Sequence, residues 1–113
     1  MTARWLLGGA LVLGLAACGD DGGSDAAAVP VSMTEYAYDP APIRMETDGT
    51  LHLTNDGAEP HNLVIPELGK GVEVAPGGEA DLHLDGQDPG TYRVICDLPG
   101  HLEQGMETEL VID

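Results

Sequence analysis

The chain has 113 residues, with 20 acidic residues against four basic ones and a formal net charge of −16 at pH 7. Such an excess of negative charge argues against binding to nucleic acid or to anionic lipid headgroups. The acidic residues are scattered along the chain and form no single run. A solvated, salt-adapted surface and a docking surface for a basic partner therefore both stay open as interpretations.

The first element in the chain has the pattern of an export signal. Arg4 precedes an apolar run from Trp5 to Leu15, which is about half of what a membrane span needs. The residues that follow, Ala16-Ala17-Cys18, resemble the lipobox of bacterial lipoproteins, in which cleavage precedes the cysteine and its sulfur is lipidated. We therefore expect residues 1–17 to be a lipoprotein signal peptide and Cys18 to carry a membrane anchor outside the cytoplasm, in the periplasm or at the cell surface. An ordinary secretory signal with a chance cysteine is the alternative.

The segment after Cys18 cannot bury enough apolar surface to fold. Residues 19–28 contain only Gly, Asp, Ser and Ala, so we expect residues 18–29 to form a lipidated cysteine and a flexible acidic tether. Residues 30–113 are then one small domain, whose stability a bound metal could raise. Once the signal is removed, three basic residues stand against 20 acidic ones, a net charge of −17.

The rest of the chain consists of short alternating segments separated by Gly, Pro, Asn and Asp, which predicts an all-β sandwich of seven or eight strands. Leu51 and Leu53 flank His52, and Leu82 and Leu84 flank His83. Both histidines should therefore point away from the core. The predicted strands cover approximately residues 31–38, 43–47, 50–55, 61–65, 71–74, 79–84, 91–96 and 107–112.

Three candidate metal ligands lie in one run of eleven residues near the C-terminus. Cys96, His101 and Met106 supply a thiolate, an imidazole and a thioether, and His61 at the predicted start of a strand supplies a second imidazole. If Cys18 is lipidated, Cys96 has no disulfide partner in its own chain, and a lone thiol in an oxidising compartment needs burial or a metal.

The ligand types favour copper over other metals. Two imidazoles, one thiolate and a weak axial methionine are the set expected for blue copper electron transfer, because soft sulfur suits Cu(I) and imidazole suits Cu(II). Zinc sites seldom use methionine, and an iron–sulfur cluster needs more thiolates than the chain has. Each residue alone could be core filler or a surface histidine. Together they predict one type 1 copper site.

From about Val31 onward the chain resembles the small cupredoxins, such as plastocyanin, auracyanin and halocyanin. The ligand run carries most of the resemblance, and it is supported by Glu35-Tyr36-Ala37-Tyr38-Asp39-Pro40, Pro60-His61-Asn62, Pro76-Gly77-Gly78 and Pro89-Gly90-Thr91-Tyr92. The resemblance implies a Greek-key sandwich with His61 as the inner imidazole, Cys96 as the thiolate, His101 as the imidazole at the solvent edge and Met106 as the axial ligand. It also implies that Asn62 braces the Cys96 loop.

The sequence departs from the family at Ile95, where an aromatic residue often precedes the cysteine, at Thr108, where glycine is common, and in a longer Cys96–His101 gap than plastocyanin has. Because residue 95 is isoleucine and offers no aromatic ring as a relay, we expect electrons to be exchanged at the His101 edge.

The sequence favours a monomeric electron carrier that exchanges electrons with redox proteins, including basic ones, and is not an enzyme. Multicopper oxidases need paired His-x-His motifs, and a binuclear copper centre needs a second loop cysteine; the chain has neither. A carrier that delivers copper to an extracytoplasmic oxidase or reductase is the alternative, for which we would expect several flexible, exposed Met or His ligands.

Overall fold

The structure is a computed structural model that describes residues 28–113, so the predicted signal peptide, Cys18 and most of the predicted tether lie outside the described residues. Within the described part, no helix is long and apolar enough to cross a membrane. The described residues form nine strands: β1 Val29–Thr34, β2 Ala37–Asp39, β3 Ile43–Met45, β4 Thr50–Asn55, β5 His61–Ile65, β6 Lys70–Val74, β7 Glu79–His83, β8 Gly90–Ile95 and β9 Glu107–Ile112. One 3₁₀ turn, Pro66–Leu68, connects β5 to β6.

The strands form two sheets, one in the order β2-β1-β4-β7 and the other in the order β3-β9-β8-β5-β6. The pairs β1–β4 and β3–β9 are parallel, and the other paired strands are antiparallel. The prediction of an all-β sandwich is confirmed, with nine strands in the described residues instead of seven or eight.

The additional strand comes from the predicted first strand, which the structure divides into β1 and β2. The chain reverses at Glu35 and Tyr36, and β2 pairs antiparallel with β1, with Met33 opposite Tyr38. The apolar positions shift by one residue here, from Val31 and Met33 to Tyr36 and Tyr38, so the phase of the alternation changes at the break even though no Gly, Pro or Asn marks a turn.

Alternation along the strands builds the core between the sheets. Leu51 and Leu53 of β4 and Leu63 and Ile65 of β5 belong to one core cluster, and all four side chains are fully buried. Burying a leucine or isoleucine side chain stabilises the fold by about 1.5–3 kcal/mol.

The register places the predicted ligands at one end of the sandwich. Strands β1, β4 and β8 run toward this end and stop there, while β5 and β9 start from it. The start of β1 and the end of β9 lie at the opposite end, where the Asp113 N–H donates to the Met45 carbonyl oxygen.

His52 lies on the outer face of the first sheet and contacts two carboxylates. On β4 it pairs with Asp81 of β7, and its Nδ1 lies 2.6 Å from an Asp81 carboxylate oxygen. Its Nε2 lies 2.8 Å from Glu79 Oε1. With an acceptor at each ring nitrogen, the imidazolium form is favoured, and the hydrogen bond to Asp81 is the main reason why the pKa of His52 is raised. His83, the other histidine of this face, is exposed, and its Nδ1 lies 3.0 Å from the Thr50 hydroxyl oxygen.

This contact predicts a pH-dependent contribution to stability. Because the pKa of His52 is higher in the folded chain than in the unfolded one, its contribution is complete below about pH 6.5 and is lost as the pH rises through the folded-state value. The free energy of unfolding should therefore be lower in His52→Gln than in the unchanged protein at about pH 5.5, and the difference should be smaller at about pH 8.5, as measured by urea unfolding. His83→Gln removes the other histidine of this face and is the control against which the loss in His52→Gln is compared at each pH. A His52→Gln deficit that is equal at both pH values would contradict the ion-pair interpretation.

Candidate metal centre

Cys96 directly follows β8, and the loop that begins with it returns to β9 through two tight turns. The His101 N–H donates to the Leu98 carbonyl oxygen at 3.1 Å, and the Gly105 N–H donates to that of Leu102 at 2.9 Å. Gly100 and Gly105 have φ values of +83° and +97°, a region that a side chain disfavours. The glycines therefore let a short loop fold back and bring His101 next to Cys96.

The structure brings three of the four predicted ligands together. One ligand atom each from His61, Cys96 and His101 lies within 4.8 Å of the other two, and the Cys96 Sγ to His101 Nδ1 distance is 3.3 Å. His61 reaches the group from the first position of β5. His61 and Cys96 are fully buried, and His101 is 8% exposed.

Met106, the fourth predicted ligand, is fully buried at the end of the same loop. Its N–H donates to the His101 carbonyl oxygen at 3.1 Å, and its own carbonyl oxygen accepts the Cys96 N–H at 3.2 Å. Met106 is thus tied through its backbone to both loop ligands.

Asn62 links the two segments that carry the ligands. Its amide nitrogen donates to Asp97 Oδ1 at 2.7 Å, and its amide oxygen accepts the Asp97 N–H at 3.0 Å. The buried Tyr38 hydroxyl donates to the Asn62 carbonyl oxygen at 2.7 Å, and burial raises the pKa of this phenol. These bonds fix the backbone next to His61 and next to Cys96.

The donor set fits a soft metal ion that is held by nitrogen and sulfur. His61 Nδ1 is the one buried side-chain nitrogen or oxygen in residues 28–113 that has no hydrogen-bond partner, an arrangement that costs free energy unless another group uses its lone pair. Cys96, the only cysteine of that range, is a buried free thiol. An orphaned imidazole nitrogen and a buried thiol, on residues whose ligand atoms lie within 4.8 Å of one another, fit a bound copper ion.

Comparison with protein families gives a match over nearly the whole chain: the family model described as a cupredoxin-like domain matches residues 7–111. The chain belongs to the cupredoxin-like family. The residues present in this small blue copper cupredoxin fit one type 1 copper site, which His61, Cys96, His101 and Met106 would hold.

Solved structures share the fold of this cupredoxin. Dithionite-reduced auracyanin from Roseiflexus castenholzii is 20% identical, with 80% of this chain and 99% of that chain covered and a TM-score of 0.62. A reduced tryptophan-to-tyrosine mutant of amicyanin is 24% identical, with coverages of 76% and 82% and a TM-score of 0.62. Amicyanin from Paracoccus versutus is 17% identical, with coverages of 80% and 85% and a TM-score of 0.62. A search of curated proteins by sequence gives no match.

Two glutamates and a tyrosine that sequence reasoning missed contact the histidines of this cupredoxin. Glu35 Oε1 lies 2.8 Å from His61 Nε2, and Glu59 Oε1 lies 3.1 Å from His101 Nε2. Hydrogen bonds from the Ala58 N–H, and then from His61, hold the pKa of the Glu35 carboxyl below its usual value. Glu59 lies only two residues before His61 in the sequence, but the histidine that its carboxylate contacts is His101.

Tyr36 covers the edge at which we expected the imidazole of His101 to face solvent. Its ring centroid lies 5.0 Å from that of His101 at an interplanar angle of 68° and 6.4 Å from that of His61. Only 10% of the His101 side chain is exposed. The charge of Glu59, whose Oε2 is 3.4 Å from the phenol oxygen, is the main reason why the pKa of Tyr36 is raised. The exposed part of the His101 edge is therefore smaller than the sequence indicated.

Proposed function

We propose that the chain is an electron carrier that holds one copper ion through His61, Cys96, His101 and Met106. The convergence of three ligand atoms within 4.8 Å, in a buried site of a cupredoxin domain, is the observation that supports this function. When bound, copper supplies a one-electron couple between Cu(II) and Cu(I). No bond to a substrate needs to form, so the proposed function is not enzymatic.

The chain contributes rigidity and exclusion of water. The Asn62–Asp97 hydrogen bonds and the backbone bonds of Met106 hold the ligand segments in place, so little needs to rearrange when the charge at the site changes. Buried ligands also keep water away from the site.

Delivery of copper to another protein is the less favoured function. Rapid release requires ligands that are exposed or mobile, whereas His61, Cys96 and Met106 are fully buried and His101 is 8% exposed. An intense visible band on addition of Cu(II), with reversible one-electron voltammetry, is expected for a carrier of electrons. Weak colour and rapid transfer of copper to a chelator would instead support delivery.

The proposed axial role of Met106 predicts a change in reduction potential. Met106→Leu replaces a weak thioether donor with an apolar side chain. Although soft sulfur suits Cu(I), the more highly charged Cu(II) loses more stabilisation when a donor is removed, so the potential should rise, by about 59 mV if the one-electron equilibrium changes tenfold. Met45→Leu makes the same change in a buried core methionine and is the control. Voltammetry of the two copper-loaded variants decides the question, since a lowered potential in Met106→Leu would rule out the axial assignment.

We further propose that the carrier works outside the cytoplasm, anchored through a lipid on Cys18, and that its redox partners present a basic surface. The support is the lipobox-like sequence before Cys18 and the excess of acidic residues. The mass of the N-terminal peptide of the mature protein tests the anchor, because an unmodified Cys18 would exclude it.

A further inference from the structure

Each histidine of the candidate copper site has its Nε2 against a different carboxylate. Glu35 Oε1 lies 2.8 Å from His61 Nε2, and Glu59 Oε1 lies 3.1 Å from His101 Nε2. In both rings Nδ1 is then the nitrogen left for a metal. His101 Nδ1 lies 3.3 Å from the Cys96 sulfur, and His61 Nδ1 is buried without a hydrogen-bond partner in residues 28–113.

The Glu35 carboxylate is held in place by its neighbours. The Ala58 N–H lies 3.1 Å from Oε1 and 3.0 Å from Oε2. Gly57 makes room for the contact with His61, because a Cβ at this position would lie 1.9 Å from Glu35 Oε1 and 3.1 Å from His61 Nε2. A side chain at Gly57 would therefore displace the carboxylate, which is the far end of a flexible side chain, from His61.

Glu59 is held from two sides at the rim of the site. Its carboxylate accepts the Tyr36 hydroxyl at 3.4 Å, and its main-chain oxygen accepts the Asn55 side-chain amide at 2.8 Å. Its side chain is 46% exposed, whereas that of Glu35 is 29% exposed.

We propose that Glu35 and Glu59 are positioning residues that fix both histidines as the Nε2–H tautomer and strengthen Nδ1 as a donor, so that the site favours Cu(II) over Cu(I). A carboxylate that accepts the second ring N–H of a metal-binding histidine orients the ring and raises its basicity. Both pairs favour Cu(II), so each of them should lower the reduction potential of the copper site. This inference rests on the proposed function, because it assigns a regulator of the potential to the same site.

The tautomers can be tested without copper. In the copper-free protein, at a pH where the imidazoles are neutral, ¹⁵N–¹H NMR should show His61 and His101 protonated at Nε2. Glu35→Gln and Gly57→Ala should change the signals of His61, and Glu59→Gln should change those of His101. Histidine signals that match those of the unchanged protein in all three variants would overturn the proposal.

The reduction potential of the copper-loaded variants is the second measurement. Each variant should lose Cu(II) affinity by about tenfold relative to Cu(I), the lower end of the range for outer residues of metal sites. That loss corresponds to a rise of about 59 mV. Glu103→Gln removes an equal charge from the exposed part of the ligand loop and is the control.

The variants separate hydrogen bonding from charge. Gly57→Ala keeps the charge of Glu35 but moves the carboxylate, so a rise in that variant supports positioning. A rise in Glu103→Gln as large as that in Glu35→Gln and Glu59→Gln would overturn it in favour of charge alone. If Gly57→Ala does not fold, the comparison of Glu35→Gln with the Glu103→Gln control still tests the proposal, because equal rises in potential would overturn it. A missing blue band would end the proposed function, whereas unchanged potentials in a blue protein would end only this inference.

Discussion

Cys96→Ser should abolish the intense visible absorption of the copper-loaded protein. The colour depends on charge transfer from a thiolate, and a hydroxyl is too hard a donor to replace it. Cys96 is fully buried and its sulfur lies 3.3 Å from His101 Nδ1, so no other group of the loop can take its position without rearrangement. Copper affinity should fall by at least about 100-fold, the upper end of the range seen for changes outside the ligand shell.

The measurement is a Cu(II) titration followed by visible spectroscopy, with chelator competition for the affinity. Serine is slightly smaller than cysteine and keeps the backbone bond from Cys96 N–H to the Met106 carbonyl oxygen. The copper-free variant should therefore give the same strand content by circular dichroism as the unchanged protein. That control separates loss of a ligand from loss of the fold, and a retained blue band would exclude the proposed copper site.

Asn55→Ala should lower the free energy of unfolding by about 3 kcal/mol. The Asn55 amide is 1% exposed and donates to the carbonyl oxygens of Glu59 and Val74 at 2.8 and 2.9 Å, while its oxygen accepts the Gly57 N–H at 2.9 Å. Alanine leaves these three groups without their partner. Each hydrogen bond contributes about 1 kcal/mol, and a buried group left unsatisfied costs about as much or more.

Urea unfolding of the copper-free protein measures this change. Gln87→Ala is the control, because Gln87 makes a single side-chain bond of 3.4 Å and its replacement should alter stability by no more than about 0.5 kcal/mol. A loss in Asn55→Ala as small as that of the control would show that the segment before His61 is held by other contacts.

The strands could be predicted from the sequence because their alternation and turn residues are local. Predicted segments 50–55, 61–65 and 107–112 coincide with β4, β5 and β9. The turn residues do not show the division between β1 and β2, because the turn at Glu35 and Tyr36 contains no Gly, Pro or Asn. Its local indication is the one-residue shift of the apolar positions, from Val31 and Met33 to Tyr36 and Tyr38.

The ligand set could be predicted for the same reason, whereas its carboxylate partners could not. Cys96, His101 and Met106 lie in one run, so their chemistry shows in the sequence. Glu35 and Glu59 are two of 20 acidic residues, and only the tertiary arrangement determines which of these reach a histidine. The role of Gly57 could not be predicted either, because the side chain that fills the space next to it belongs to Glu35, which follows a different strand, β1.

Both ends of the described chain lie at the end of the sandwich opposite the ligands. β1 has six residues, so Val29 lies about 17 Å from the end of the strand next to Glu35 at about 3.3 Å per residue. Asp113 is fixed at the same far end by its bond to Met45. An affinity tag or an electrode attached at either end of the described residues would therefore lie away from the ligand loop, which stays accessible to a partner that arrives from bulk solvent.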